Sequence, residues 1–455
     1  MTAPSARIGN AGGFWGDEPG APARLLDGRP DLDYLTIDYL SEVSLSILAR
    51  QRERDPALGY AADFIAAIRS LGPHWARGSP VKVIANAGGL NPRSCAGRCA
   101  EALREEGCRG RRIGIVGGDD VLPVIREALE AGGGRGFENL ETGRPISDIA
   151  GRLVTANAYL GAEPIAAALQ AGADIVVAGR VADPSLAVAA CLHHHGWDPA
   201  DLDRVAGATV AGHLIECGTQ VTGGISTNWL ELPCPERIGF PVAEVDGGGG
   251  CTVTKPEGTG GRVSAETVKE QLLYEIGDPG AYLSPDVTAS FLTLAVEDLG
   301  RDRVSVRGAT GRPPPDSLKV SATYRAGWRA AGTLVIPGPR AREKAERCGR
   351  IVLARLREMG LPPAETAVEC LGAGAVAAGA ASCEAPEVVL RIAVSDEGRR
   401  AVELFATALM PLVTAGPPGT TGYAEGRPRV REVFGYWPCR IPRDRVRPWM
   451  EMIEA

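Results

Sequence analysis

The first half of the chain alternates between short, continuously apolar runs and longer stretches whose apolar residues recur at helical spacing. The predicted strands are Tyr34–Ile37, Val81–Ala85, Ile113–Val116, Leu153–Thr155 and Ile175–Ala178. The helices predicted between them are Cys95–Glu106, Leu122–Ala131, Ile165–Ala171 and Leu186–His194. Apolar strands separated by helices indicate βα units and a buried, mostly parallel sheet. The irregular spacing of the units favours an open sheet over a barrel.

From about residue 233 the pattern changes to Gly-rich turns, alternating strands and fewer helices. The helices predicted there are Ala265–Ile276, Ala341–Met359 and Glu397–Leu409. We therefore predict an α/β fold with two domains. Residues 1–232 would form a crevice-forming domain whose βα units build a mostly parallel sheet, and residues 233–455 would form a second, mixed α+β domain.

Composition narrows the class of partner. The chain has 455 residues, a net charge of −7 and 11 cysteines without a framework spacing. The absence of a basic block argues against nucleic acid, and no apolar run is long enough to span a bilayer. Scattered cysteines in a long chain indicate reduced thiols, so we expect a cytoplasmic protein. Its size favours a homo-oligomer.

Small residues, amides and carboxylates follow the predicted strands. The tetrapeptide NAGG occurs twice, at 10–13 and 86–89, each time after an apolar run. Ligands of parallel α/β sheets bind beyond the carboxyl ends of the strands. We therefore predict that these residues line one shared crevice, although helix capping alone explains any single Asn or Asp. The candidate substrate-binding residues are Asn10, Asp17, Asn86, Gly88, Gly89, Asn91, Asn157, Arg180 and Asp183, with Lys255 as a further anchor for a carboxylate or phosphate.

The glycines in these stretches do not form a nucleotide-binding fingerprint. Neither G-x-G-x-x-G nor a P-loop is present, so NAD and ATP are not expected and we predict no cofactor.

The stretch "AGHLIECGTQVTGG" supplies the candidate acid–base groups. On one helix, His213, Glu216, Cys217 and Gln220 would share a face. His213 would act as base or acid, with Glu216 as its orienting partner. The same face could instead give a metal two or three ligands, or hold a satisfied histidine beside a buried thiol.

The words "IGNAGGFWGD", "IANAGGLNP", "AGHLIECGTQVTGG" and "GPPGTTGYAEGRPRV" resemble the acyclic terpene utilisation (AtuA-type) family, and matching words cover nearly the whole chain in order. The family is named for a catabolic pathway of branched terpenoid acids handled as acyl-CoA thioesters. The resemblance implies that longer members carry an extra C-terminal ferredoxin-like domain. We expect this chain to lack it, so that an activity that depends on this domain would be absent or would need a separate small partner chain. The resemblance assigns no catalytic residue.

We predict a small-molecule enzyme of the lyase class, a hydratase or dehydratase acting on a carboxylic acid or its acyl thioester. Adding or removing water beside a carbonyl requires a base, an acid and donors for an enolate-like oxygen. The expected oxyanion donors are Asn86, Gly88 and Gly89. The expected second proton carrier is Asp119, Asp120 or Asp183.

Three alternatives stay open. A thioester hydrolase or acyltransferase would use Cys217 as its nucleophile. A non-catalytic subunit would bind an acyl ligand or assemble with a partner enzyme. Metal-assisted chemistry would take ligands from His213, Glu216 and the Asp cluster.

Overall fold

The computed structural model describes residues 4–132, 134–377, 385–424 and 426–455. The strands are β1 Ala6–Asn10, β2 Tyr34–Ile37, β3 Lys82–Ala85, β4 Arg112–Gly117, β5 Leu153–Ala158, β6 Ile175–Ala178, β7 Val242–Val245, β8 Cys251–Thr254, β9 Tyr282–Leu283, β10 Thr288–Ser290, β11 Ala295–Asp298, β12 Val304–Arg307, β13 Thr310–Arg312, β14 Ser317–Pro337, β15 Glu365–Leu371, β16 Glu387–Asp396, β17 Arg431–Pro442 and β18 Trp449–Glu454. The helices are α1 Ala21–Gly28, α2 Ser44–Arg54, α3 Asp63–Ala76, α4 Pro92–Glu105, α5 Leu122–Glu130, α6 Glu163–Gln170, α7 Ser185–His195, α8 Leu202–Glu216, α9 Ala265–Leu273, α10 Ala341–Glu358, α11 Arg399–Leu409 and α12 Leu412–Ala415.

The largest sheet has ten strands in the order β11-β12-β8-β7-β1-β2-β3-β6-β4-β18. Its centre, β1-β2-β3-β6-β4, is parallel throughout. The strands that flank this centre pair antiparallel. The prediction of an α/β fold with parallel βα units in the N-terminal half is therefore confirmed.

Helices cover the parallel centre, which explains why its strands are continuously apolar. All residues of β2 and β6 are buried. Helix α3 contributes Phe64, Ile68 and Leu71 to the core beside them. Helix α4 starts at Pro92, three residues before the predicted Cys95, because Pro92 fits the first turn and the Asn91 side chain accepts a hydrogen bond from the Ser94 amide at 3.3 Å.

One predicted strand of the parallel sheet belongs elsewhere. Strand β5 pairs with β14 rather than with the ten-stranded sheet. The end of β5 nevertheless returns to the carboxyl edge of the parallel strands, because Asn157 forms an antiparallel bridge with Asp120, which follows β4. An apolar run does not specify its pairing partner, so the sequence could not separate β5 from the other strands.

The chain divides into two compact units. The larger one extends to Thr323 and resumes from Tyr436 to Ala455, and the smaller one is Tyr324–Gly435. This division differs from the boundary at 232/233 that the sequence suggests. The reason is that β7, β8, β11 and β12, which all follow residue 232, join the same ten-stranded sheet as β1.

Apart from the four-residue helix α12, the smaller unit has the element order β14-α10-β15-β16-α11-β17, with the strands arranged β15-β16-β14-β17. This βαββαβ arrangement is that of the ferredoxin-like fold. Its core includes Cys348 and Val352 from α10, Phe405 from α11 and Leu390 from β16. The unit lies within the chain, which differs from the C-terminal position that the resemblance gives such a domain in longer members.

Among the residues that the structure describes, none of the helices combines the length and the hydrophobicity that a bilayer crossing requires.

Candidate functional site

Helix α8 carries the candidate acid–base pair at its C-terminal end. Its residues are buried from Val205 to Ile215. The helix ends at Glu216, since Gly218 adopts a left-handed conformation with φ +59°. The prediction that Cys217 and Gln220 share a helical face with His213 is therefore wrong, whereas the pairing of His213 with Glu216 is present.

Both ring nitrogens of His213 have partners within the protein. Nδ1 lies 3.0 Å from Glu216 Oε1, and Nε2 lies 2.8 Å from the main-chain oxygen of Gln271. A carbonyl oxygen can only accept, so Nε2 carries a hydrogen and Nδ1 faces the carboxyl group. One proton is then shared along the Nδ1–Oε1 contact, and neither nitrogen is left for a metal ion.

The His213–Glu216 pair titrates away from the ordinary values of its members. Burial raises the pKa of Glu216 to about 7, although the hydrogen bond and charge of His213 act in the opposite direction. Burial acts to lower the pKa of His213, but the Glu216 hydrogen bond and charge outweigh it and raise the pKa overall. The pair can therefore hold or release a proton near neutral pH.

This pair lines a cavity of about 400 Å³, which we call the first cavity. Its lining includes four carboxyl groups, two cationic side chains and several apolar ones. The carboxyl groups belong to Glu42, Asp183, Glu216 and Glu275, the cations are Lys319 and Arg440, and the apolar and aromatic residues include Leu140, Tyr159, Tyr282, Leu283 and Leu318. Oε2 of Glu216 is buried and has no hydrogen-bond partner within the described part of the chain.

A second carboxyl pair lies beside Glu216. The carboxyl groups of Asp38 and Asp183 are close enough to affect each other's pKa, and the negative charge of Asp183 opposes ionisation of Asp38. Burial, followed by the negative charge of Asp183, raises the pKa of Asp38 well above its usual range. Burial also raises the pKa of Asp183, although Arg180 opposes it. Asp183 can therefore present a protonated carboxyl to the first cavity.

Arg180 is the buried cation that holds this group in place. It is 1% exposed, and its Nη2 lies 2.9 Å from Asp183 Oδ1. It also donates to the main-chain oxygen of Leu40, and its guanidinium lies 4.0 Å from the centre of the Tyr159 ring. With its side chain fully enclosed by protein, Arg180 acts on the site through Asp183 rather than by touching a ligand.

Glu42, Tyr159 and Lys319 form a linked group on another wall of the first cavity. The Tyr159 hydroxyl donates to Glu42 Oε1 at 3.0 Å, and Lys319 Nζ lies 3.3 Å from the same oxygen. Burial acts to raise the pKa of Glu42, but its main-chain amide, Lys319, Arg180 and Tyr159 together lower it. Glu42 is thus held ionised while Asp183 and Glu216 retain protons to higher pH.

The two NAGG copies act within the protein rather than on a ligand. Asn86 accepts from the Tyr39 amide at 2.7 Å and donates to Asp38 Oδ1 at 2.6 Å. The amide of Gly88 donates to the main-chain oxygen of Ala178 at 2.9 Å, and that of Gly89 donates to the Asn86 oxygen at 3.3 Å. Their predicted role as oxyanion donors is therefore not supported, because their donor groups already have acceptors.

Asn10 and Gly13 of the first copy contact the end of α8. The Asn10 side chain donates to the main-chain oxygens of Ile215 and Glu216. The Gly13 amide donates to Asp17 Oδ2 at 2.6 Å. Asn10 and Asp17 therefore hold main-chain groups near the site, and neither lines the first cavity.

The other predicted strand-end residues surround a second cavity of about 250 Å³. Its lining includes Gly89, Asn91, Arg93, Gly117, Gly118, Asp119, Asp120, Asn157 and Trp449. None of these residues lines the first cavity. The single shared crevice predicted from the sequence is thus divided in two, with His213, Glu216 and Asp183 on one side and Asp119 and Asp120 on the other.

Two further candidates have structural partners. Lys255 Nζ donates to the main-chain oxygen of Thr259 at 2.9 Å and pairs with Asp302 at 3.1 Å, so it joins two loops. Burial raises the pKa of the Cys217 thiol to about 12, and Cys217 does not line the first cavity. A thiol that stays protonated is a poor nucleophile, which argues against chemistry at Cys217.

Two charged residues of the first cavity, Lys319 and Arg440, are not singled out by the sequence pattern. Lys319 and Arg440 lie on β14 and β17, far along the chain from α8. Lys319 follows Leu318 in an alternating strand, where a lysine is usually solvated. Only the tertiary fold shows that it lines the same cavity as the acid–base pair.

The described residues contain no group of three or more His, Cys, Asp or Glu side chains arranged to hold a metal ion.

The fold and the site together define an α/β protein with an open mixed sheet and a carboxyl-rich cavity beyond its parallel strands. Residues 6–452 match the model of the family described as acyclic terpene utilisation family protein AtuA. The chain therefore belongs to the AtuA family, as its sequence motifs indicate. No curated protein and no solved structure matches it.

Proposed function

We propose that the first cavity is the active site of a lyase that adds water to, or removes it from, a small carboxylic acid or acyl thioester. The observation that carries this proposal is the Glu216 carboxyl group, which lines the cavity, is paired with His213 and has one buried oxygen without a hydrogen-bond partner among the described residues. A buried carboxyl with a pKa of about 7 suits proton transfer at neutral pH.

Glu216 takes the role of base, and His213 orients it. This reverses the roles predicted from the sequence, because both His213 nitrogens are occupied while Glu216 Oε2 has no hydrogen-bond partner in the described part of the chain. In the dehydration direction, Glu216 accepts the proton from the carbon next to the carbonyl. The electron pair of that C–H bond forms the C=C bond as the neighbouring C–O bond breaks.

Asp183 takes the role of acid. Because burial raises the pKa of Asp183, its carboxyl group would carry the proton that passes to the departing hydroxyl, which leaves as water. Hydration is the reverse of these steps. Lys319 and Arg440 line the same cavity and would attract the carboxylate or the polarised carbonyl oxygen, and Leu140, Leu283 and Leu318 would cover the hydrocarbon part.

Hydrogen exchange in D₂O tests the base separately from the acid. Short-chain acyl thioesters and free acids are incubated with the protein, and mass spectrometry follows deuterium on the carbon next to the carbonyl. Glu216→Gln should lower this exchange by roughly 10²-fold or more, since it removes the base. Asp183→Asn should keep the exchange but lose water elimination from the 3-hydroxy thioesters.

The control is Cys217→Ser, which should leave both rates unchanged. A loss of activity in this variant would favour the hydrolase or acyltransferase alternative. Ligand binding by the wild-type protein without exchange or elimination would refute the lyase and favour a non-catalytic binding subunit.

A further inference from the structure

The second cavity lies at the carboxyl ends of β3 and β4, at the start of α4. It has a volume of about 250 Å³ and shares no lining residue with the first cavity. The proposed lyase chemistry uses none of its side chains. Asp119, Asp120 and Asn157 contribute its polar wall.

Asn157 lines this cavity and has a side-chain acceptor without a partner among the described residues. The residue is 1% exposed, and its Nδ2 donates to Asp119 Oδ2 at 2.7 Å. Because the carboxylate accepts, this bond fixes which end of the amide faces Asp119. The other end, Oδ1, is buried and has no partner among the residues that the structure describes. A buried acceptor without a donor is costly, so a donor from a ligand would be stabilised there.

The charges around the second cavity favour a cation. Asp119 and Asp120 bring two carboxyl groups, and Asp120 Oδ1 accepts from the Leu122 amide at 3.1 Å. The Arg93 guanidinium is matched by Glu451, at 2.9 Å and 2.5 Å, and lies 4.3 Å from the centre of the Trp449 ring. Among the described residues that line the second cavity, Arg93 is the one cation, and because Glu451 matches its charge the remaining charge is negative.

We propose that the second cavity binds the primary ammonium group of a small ligand. An ammonium group has three hydrogen-bond donors and no acceptor, so it can donate to Asn157 Oδ1 and to the carboxylates at the same time. An alcohol would satisfy the amide oxygen without balancing the charge, and a carboxylate would be repelled. This inference is independent of the lyase, because it depends on a separate cavity.

Three probes of equal chain length test it: n-butylammonium, 1-butanol and butyrate, each titrated at constant ionic strength with saturation-transfer NMR. We expect n-butylammonium to bind best. Asp120→Asn keeps the acceptor for the Leu122 amide but loses the charge, and should weaken n-butylammonium binding by roughly tenfold. Asn157→Ser keeps a donor for Asp119 but loses the amide oxygen, and should weaken it to a similar extent.

Glu216→Gln in the first cavity is the matched control, and it should leave n-butylammonium binding unchanged. Loss of binding in this control, with none in Asp120→Asn or Asn157→Ser, would place the amine in the first cavity and overturn the proposal. Equal binding of 1-butanol, or displacement of the amine by MgCl₂ at matched ionic strength, would also overturn it. Thermal unfolding of each variant shows whether a loss of binding reflects a loss of fold.

Discussion

The side-chain amide of Asn10 donates to the main-chain oxygen of Glu216 at 3.0 Å, across 206 positions of sequence. The same nitrogen also donates to the main-chain oxygen of Ile215. The last carbonyls of an α-helix have no partner within the helix, so Asn10 caps α8 from the end of β1. The proposed base is thereby fixed to the central sheet.

We therefore expect Asn10→Ala to destabilise the protein. The substitution leaves the Glu216 carbonyl without the Asn10 donor and the Ile215 carbonyl with only the Cys217 amide, which should lower the free energy of unfolding by about 1–3 kcal/mol. Urea unfolding monitored by circular dichroism measures this change. Asn10→Asp is the matched comparison, and it should be at least as destabilising because a carboxylate cannot donate. Wild-type stability in Asn10→Ala would show that the cap contributes nothing.

Gly13 permits the close approach that brings β1 against the end of α8. A Cβ atom at this position would lie 2.5 Å from the Cys217 carbonyl carbon and 2.7 Å from the Gly218 nitrogen. Both are main-chain atoms and cannot move aside without displacing the helix end. Gly13→Ala should therefore lower the free energy of unfolding by about 1–3 kcal/mol and slow the proposed proton exchange, measured on the same preparations.

Gly97→Ala is the control for this substitution. Gly97 lies inside α4, and a Cβ atom there would have no neighbour within 4 Å. Alanine in a helix interior should raise the free energy of unfolding by roughly 0.5–1 kcal/mol relative to glycine. If Gly13→Ala and Gly97→Ala changed the free energy of unfolding alike, close packing at Gly13 would not explain the destabilisation.

Much of the fold could be predicted from the sequence, because buried parallel strands leave a strong signal. The run Tyr34–Ile37 is a strand with those same bounds, and Ile175–Ala178 is another. The hydrophobic pattern could not predict which strands pair with each other. Strand β5 has the same apolar character as its neighbours but pairs with β14, and β7 continues the first sheet beyond the suggested domain boundary.

The candidate site could be predicted only for residues that lie close together in the sequence. His213 and Glu216 are three residues apart, so helical spacing alone brings them together. Lys319 and Arg440 reach the same cavity through β14 and β17, and no local pattern reports that arrangement. The repeated Asn-Ala-Gly-Gly was correctly placed after strands, but its polar groups bind main-chain and side-chain partners within the protein.

The proposed roles of His213 and Glu216 predict a specific pH dependence. Glu216 must lose its proton to act as base, so kcat/KM should rise with pH through about 7. The positive charge of His213 lowers the pKa of Glu216, whereas burial and the charges of Asp183 and Glu275 raise it. Removing the imidazole should therefore raise the Glu216 pKa. In His213→Gln, the rising limb of the kcat/KM–pH profile should accordingly lie about one pH unit higher.

His193→Gln is the control for this shift. His193 is hydrogen-bonded to Tyr34 at 2.6 Å and does not line the first cavity, so the limb should keep its position. The position of the limb, rather than the maximal rate, is the quantity to compare, because a general loss of structure lowers the rate without moving the limb. An unshifted limb in His213→Gln would contradict the assignment of Glu216 as the base tuned by His213.

The cysteines should differ sharply in their reactivity toward iodoacetamide. Burial raises the pKa of the Cys217 thiol to about 12, with a further contribution from the charge of Glu216, so almost no thiolate forms at neutral pH. Cys234 is exposed and provides the internal reference. Peptide mass spectrometry after brief alkylation at neutral pH should find Cys234 modified and Cys217 intact, with activity retained. Rapid modification of Cys217 together with loss of activity would restore the nucleophile hypothesis, because only a thiolate reaches that rate.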